Sequence, residues 1–339
     1  MRHRLRLITT ALCTIALAAP ARAQGPARTL GINTTGMDRS VRPQDDFFHY
    51  VNGAWADHTE IPPDQSSYGS FTMLRDKSLE AVRGIIEEAA AKHAPAGSIA
   101  QKVGDFYASY MDTTRIESLG LTPLRDELGY IAKLSGAADL PAALAHLNTV
   151  GVRGLVGAGV GQDPKHSSAY IVSLGQGGLG LPDRDYYLRQ DEKFAAIRKA
   201  YTAYVARLLT LAGQPDPDGA AQRILALETR VAEQQWPRAR LRDRDATYNK
   251  MTVEALGASA PGFAWQTYLT ALAGQPVADV IVRQPDFMQA VAGIFTDTPI
   301  ATWKEYFTFG LLNDYASVLP QAYVDARFDF DGRVLSGQQ

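Results

Sequence analysis

Apolar residues recur at helical spacing along most of this chain, and the period changes clearly only once, between residues 155 and 174. Over 71–93, Leu74, Leu79, Val82, Ile85, Ile86 and Ala89 keep close to a 3.6-residue repeat, while Arg75, Lys77, Glu80, Arg83, Glu87 and Glu88 lie largely elsewhere. The spacing predicts one long amphipathic helix. Residues 99–111 repeat the pattern with Val103, Phe106, Tyr107 and Tyr110. Thr122-Pro123 offers an N-cap and a first-turn proline for a helix over 124–134, and Asp139 with Pro141 starts another. Then 155–160 and 168–174 turn short, apolar or alternating, and read as two strands joined at Gln162-Asp163-Pro164. Helical pattern returns over 191–212 and 218–235, an antiparallel pair separated by the proline-bearing stretch 213–217. Shorter helices follow near Val253 and over 263–272, 285–295 and 302–319, with 277–282 a candidate strand. The fold class is mainly α: a multi-helix lobe with a small β hairpin or sheet.

The first residues obey a different logic. Arg2, His3, Arg4 and Arg6 precede an apolar run over 7–19, and Ala21-Arg22-Ala23 is an A-x-A cleavage signal, so 1–23 reads as a secretory signal peptide. The run is shorter than the ~20 residues that a membrane span needs, so no permanent membrane anchor is expected. Cys13 is the one cysteine of the 339 residues, and Leu12 stands where lipoprotein processing needs a small residue. Cleavage after Ala23 leaves a thiol-free chain without disulfides, exported to the periplasm or beyond. It also removes four of 34 basic residues and none of 36 acidic ones, leaving 30 against 36, a formal charge of −6. That balance lacks the basic footprint of a nucleic-acid binder. Residues 24–40, polar and without periodicity, read as an extended N-terminal arm, and 41–339 as the folded domain.

Chemistry-bearing motifs are scarce. A hydrolytic zinc helix carries two histidines four apart with an adjacent glutamate. None of His49, His58, His93, His146 and His166 precedes a glutamate, and no two lie within four residues. Glu60 and Asp64 share ligand-like spacing, but Pro62 and Pro63 between them forbid a helix interior, so the segment reads as a loop. Gly175, Gly177 and Gly180 match G-x-G-x-x-G after a strand, yet the chain runs on into Leu181-Pro182-Asp183 instead of opening an apolar helix, which argues against a dinucleotide site. No nucleophile elbow is present, and Gly257-Ala258-Ser259-Ala260-Pro261 lacks the final glycine. No catalytic residue and no metal ligand is assigned in this chain.

Three constellations remain. Asp45-Asp46 precede Phe47-Phe48-His49-Tyr50, which reads as a helix start with an aromatic face and Gly53 in the C-cap position. Arg184 between Asp183 and Asp185, followed by Tyr186 and Tyr187, reads as a buried network of ion pairs and hydroxyls. The run from Arg242 to Asp245 with Tyr248-Asn249 reads similarly.

On these residues the chain resembles the N-terminal part of the neprilysin-type zinc metallopeptidases, close to the bacterial endopeptidase O branch. Four blocks carry the resemblance in order: Val41-Arg42-Pro43-Gln44-Asp45-Asp46-Phe47-Phe48 through Asn52-Gly53-Ala54-Trp55, with Ile61-Pro62 and Ser66-Ser67-Tyr68-Gly69-Ser70-Phe71 beyond it; Gly178-Leu179-Gly180-Leu181-Pro182-Asp183-Arg184-Asp185-Tyr186-Tyr187-Leu188; Tyr248-Asn249-Lys250-Met251-Thr252; and Phe328-Asp329-Phe330 with Leu335-Ser336-Gly337-Gln338. The resemblance implies a two-lobed, mainly helical fold around a chamber, with the zinc-bearing lobe in the later half of a chain about twice as long. Zinc is therefore implied for the full-length family enzyme, none is expected bound to this chain, and the partners implied are the missing C-terminal catalytic lobe and peptide substrates. Ser67 stands where some relatives place an arginine for the substrate's C-terminal carboxylate. Ser67 and Tyr68 are thus the substrate-facing candidates, and endopeptidase cleavage is implied rather than dipeptide release. The expected function is the N-terminal portion of an exported zinc metalloendopeptidase for small peptides, truncated before its HExxH helix and inactive alone. The alternative is a stand-alone, non-catalytic peptide-binding or scaffold protein.

Overall fold

The structure, a computed structural model, describes residue 31 and residues 34–338. The expected signal peptide and the first part of the arm lie outside the described residues. The chain divides into two compact units, one ending at Ile61 and the other beginning at Pro62.

In the first unit a 3-10 turn, Thr34–Gly36, precedes helix α1, Phe47–His58. Asp46 caps α1: its carboxylate accepts the His49 N–H at 2.9 Å, a bond that holds the acid below its usual range. Gly53 does not end the helix. It is buried inside α1 because Asp38 packs there, and a Cβ at Gly53 would lie 2.8 Å from the Asp38 Cβ. The need is close approach of the preceding segment, whose Asp38 N–H also donates to the Tyr50 carbonyl, rather than a chain reversal.

The second unit opens with a helical hairpin, α2 (Ser70–Ala91) and α3 (Ile99–Met111). Gly104 lets the two backbones meet, since a Cβ there would lie 2.9 Å from the Ala89 carbonyl oxygen. Next come α4 (Thr113–Leu119), capped by Asp112, then a 3-10 turn, Thr122–Leu124, leading into α5 (Arg125–Lys133). Thr122 therefore begins the 3-10 turn instead of capping the α-helix. Helix α6 (Leu140–Thr149) leads to the hairpin of β1 (Val156–Asp163) and β2 (His166–Gln176). The chain continues through α7 (Asp185–Leu188), α8 (Glu192–Leu211), α9 (Pro217–Gln234), β3 (Asn249–Thr252), α10 (Val253–Ser259), α11 (Trp265–Ala273) and β4 (Asp279–Val282). It closes with α12 (Pro285–Asp297), α13 (Ile300–Tyr315), α14 (Gln321–Arg327) and a π-helical turn, Phe328–Leu335.

The strands form one mixed sheet in the order β1-β2-β4-β3. β1 and β2 are antiparallel, with Val156 opposite Gln176. β4 joins β2 in parallel, Val172 opposite Val280, and β3 flanks β4 antiparallel, Asn249 opposite Val282. Asp163 at the hairpin end is buried and accepts from the Tyr248 hydroxyl at 3.0 Å and Lys250 Nζ at 3.2 Å, which ties β1 to the approach and start of β3.

One hydrophobic core begins at Leu124 and runs to the π-helical turn. Its centre is aromatic: Phe263 stacks on Phe295 at 4.4 Å, and Phe295 on Trp303 at 5.0 Å. The α2–α3 hairpin contributes no large buried side chain to it. Leu144 of α6 is 0% exposed whereas Phe71 at the start of α2 is 89% exposed. Leu144→Ala should therefore lower unfolding free energy by about 2–5 kcal/mol in urea denaturation, and Phe71→Ala should change it by no more than about 0.5 kcal/mol.

Candidate functional site

The second unit holds a cavity of about 640 Å³ around the segment that leaves β2, residues 176–185. This is the segment that carries the glycine-rich motif. Its lining also comes from the start of β1 and the turn before it, from α9 and from α13.

The glycines are there for close approach. A Cβ at Gly177 would lie 2.9 Å from the Gly154 carbonyl oxygen, and one at Gly180 would lie 2.0 Å from the Tyr201 hydroxyl. Gly178 has φ +88 and would bring a Cβ within 2.7 Å of the Leu155 Cα. Freed of side chains, the loop's backbone is held from below by side chains remote in sequence. Gln235 donates to the Gly177 carbonyl at 2.8 Å and the Tyr306 hydroxyl to the Gly178 carbonyl at 3.1 Å. The Gln176 N–H donates to Gln284 at 2.9 Å, and the Gln176 side chain bridges both backbone groups of Trp236.

At the bottom lies Glu228 of α9, buried to 1% exposure. Its carboxylate accepts the hydroxyls of Tyr187 and Tyr201, each at 2.8 Å, and the Gly180 N–H. The Tyr187 oxygen in turn accepts the Leu181 N–H at 2.9 Å. Burial pushes the Glu228 carboxyl up to about 7 despite these three donors, and burial together with its charge pushes both tyrosines well above their usual range.

Guanidinium groups line the rim. Arg153 pairs with Asp314 at 3.0 Å and Arg238 with Asp183 at 2.9 Å. Arg184 does not form the buried ion pair expected of it with its flanking acids. Its Nε donates instead to the Ala232 carbonyl at 3.2 Å, at the C-terminal end of α9. The hydroxyl part of the expected network is present, through Tyr187. The stretch from Arg242 to Asp245 is an exposed turn in which the Asp243 carboxylate accepts the Asp245 and Ala246 N–H groups.

Ser67 and Tyr68 lie in the irregular segment before α2, Ser67 exposed and Tyr68 half-buried, and neither lines the cavity. Glu228 was not singled out by sequence reasoning. The signal was available: it stands four residues after Ile224 and three before Val231, on the buried stripe of α9. Among the described residues no three His, Cys, Asp or Glu side chains come together as metal ligands. His146 Nε2 instead bonds Glu127 at 2.6 Å and His49 bonds Asp46, so the donors present do not fit a catalytic zinc ion, and no reaction step is assigned through one.

A mainly helical unit with a small mixed sheet, a glycine loop beside buried tyrosines and ordered motif blocks along the chain match the N-terminal region of one protein family. The chain belongs to peptidase family M13, whose N-terminal model matches residues 43–339. It is 31% identical over 300 residues to mouse endothelin-converting enzyme-like 1, covering 84% of this chain and 38% of that protein. The inhibitor-bound zinc metalloprotease Zmp1 of Mycobacterium tuberculosis is similar at 38% identity and a TM-score of 0.85, over 91% of this chain and 48% of that one. PepO of Lactobacillus rhamnosis shares the fold, with a TM-score of 0.73 at 23% identity over 88% of this chain and 47% of that one. The chain thus spans less than half the length of these relatives.

The buried acid makes a pH prediction. Glu228 titrates near 7 folded and near 4.5 as a free side chain, so between those values the folded state holds a proton the unfolded state has lost. Its contribution to stability is therefore greatest below about pH 4.5, falls as pH rises, and has dropped by about 3 kcal/mol above pH 7. In urea denaturation across pH 5–8, the difference in unfolding free energy between wild type and Glu228→Gln should shift by that order in the variant's favour. A difference independent of pH would show that Glu228 is ionised throughout.

Proposed function

We propose that this chain is the N-terminal, substrate-enclosing portion of an exported zinc metalloendopeptidase that acts on small peptides, and that it gains zinc and activity only with a C-terminal catalytic portion. The observation that carries the reading is the family match over 43–339, set beside a coverage of 38% to 48% of relatives that include a zinc metalloprotease. Export rests on the leader over 1–23, and among the described residues no helix is long and apolar enough to cross a membrane. Ser67 and Tyr68 are the residues assigned to face substrate, with serine in place of arginine favouring internal cleavage.

The α2–α3 hairpin supports a missing counterpart. Phe71, Leu74, Val82 and Ile85 form a stripe along α2, and Ile99, Phe106 and Tyr110 another along α3, all exposed. Apolar surface of this extent ordinarily meets another surface. A second reading, the stand-alone peptide-binding or scaffold protein, is favoured by a different observation: the core from Leu124 onward is continuous, and every residue lining the cavity belongs to this chain.

The test compares the 339-residue chain with the product of the reading frame continued beyond the Gln339 codon. The longer product should bind one zinc and cleave quenched fluorescent peptides in a chelator-sensitive way, and the short chain should do neither. Stoichiometric zinc with hydrolysis by the short chain would sink the proposal, and a stop codon with no catalytic portion encoded nearby would favour the second reading. The short chain should also self-associate in sedimentation and bind an apolar dye, and Leu74→Glu with Ile85→Glu should shift it toward monomer. A clean, dye-free monomer would count against a missing counterpart.

A further inference from the structure

The outer edge of β1 has no neighbouring strand among the described residues. Edge strands in folded proteins are ordinarily blunted by lysine, proline or a mid-strand bulge, because a row of unpaired N–H and C=O groups recruits other chains. β1 has none of these over residues 156–161, and its one irregularity of register lies at the turn end, between Gln162 and Asp163. Gly157, Gly159 and Gly161 alternate along it, so one face of the edge carries no side chain at all. Space around the last two is open, with no atom within 4 Å of a Cβ built at Gly159 or Gly161.

The same edge runs into the cavity. Val156, Gly157 and Ala158 line it together with residues 176–185. In that cavity Arg184 is half-buried and, unlike Arg153 and Arg238, has no carboxylate partner among the described residues; its hydrogen bond is to the neutral Ala232 carbonyl. A guanidinium held this way keeps donors for an incoming carboxylate.

From the bare edge and the unpaired guanidinium at its end we infer that β1 and the 176–185 cavity form a binding site for an extended peptide. The peptide pairs backbone to backbone with β1 and places its C-terminal carboxylate against Arg184. An edge of backbone groups is matched by another extended backbone, and the unpaired cation supplies the charge complementarity that selects a free C-terminus. The inference takes from the proposed function only the class of ligand, a peptide, and adds how that ligand is held.

The test is fluorescence anisotropy on the full chain, purified without its leader, with a labelled N-acetylated hexapeptide of alternating threonine and valine ending in a free carboxylate. Two control probes are the C-terminal amide and the same peptide N-methylated at alternate residues. The acid should bind one to one, the amide about tenfold or more weakly, and the N-methylated peptide not measurably. Arg184→Gln should remove the difference between acid and amide, whereas Arg184→Lys, which keeps the charge, should retain part of it; thermal unfolding of both checks that they fold. Gly159→Val, which has room to fold, should weaken all peptides by crowding the bare face. Equal binding of acid and amide to wild type would overturn the role of Arg184, and undiminished binding of the N-methylated peptide would overturn strand pairing. A chain dimer that the peptide cannot compete with, lost in Gly159→Val, would assign the edge to a second copy and also overturn it. Failure here is separable from failure of the proposed function: a longer product that cleaves peptides while these probes do not bind leaves that function standing, and binding without cleavage by the longer product does the reverse.

Discussion

A carboxyl group buried to 1% exposure constrains more of this molecule than any other single feature. Glu228 cannot be taken out of water unless each oxygen finds donors, because an unsatisfied buried charge costs more than most side chains contribute. The donors come from α7, from α8 and from the backbone of the loop leaving β2. Satisfying one acid therefore positions three segments relative to α9. It also dictates the loop's composition: the Gly180 N–H reaches the carboxylate only where the residue has no Cβ to meet Tyr201. The loop lining the cavity is pinned just before this point, with Tyr306 and Gln235 holding the carbonyls of Gly178 and Gly177.

The rest of the second unit divides by energetics. From Leu124 onward the core is continuous and rich in stacked aromatic rings, the kind of packing that fixes a scaffold. The α2–α3 hairpin is different. Its two helices meet closely at Gly104, yet their apolar stripes face outward. Membership of peptidase family M13, with relatives more than twice as long as the matched span, gives that contrast a sense. One part of the chain buries its apolar residues in a continuous core, and another leaves them exposed.

Much of the fold was legible in the residues. The long helices over 71–93, 99–111, 191–212 and 218–235 appear as α2, α3, α8 and α9 with ends moved by a residue or two, since a stripe repeated over three or more turns is hard to satisfy otherwise. The hairpin was legible from its change of period. Several pieces were not. β3 is four residues of mixed polarity that become a strand only because β4 offers an edge. α4 and α14 are seven residues each, too short for periodicity to speak. The turn over 328–335 is π-helical, a winding with no local sequence signature. At the cavity, the glycine loop was visible as a motif and its neighbouring tyrosines as a network, while Ser67 and Tyr68, singled out by resemblance, are not among the residues that line it.

By itself, then, the sequence determined the helical class, the position of the hairpin and the family, because amphipathic period, turn chemistry and ordered motifs are all local properties of a chain. Only the tertiary structure decided that Gly53 lies inside α1, that Arg184 forgoes its acidic neighbours for a carbonyl, and that Glu228 is the buried acid beneath the glycine loop. Each of those outcomes depends on a partner far away in sequence or on space already taken by another side chain. Burial and hydrogen-bond satisfaction are properties of the assembled surroundings, and no window of neighbouring residues contains them.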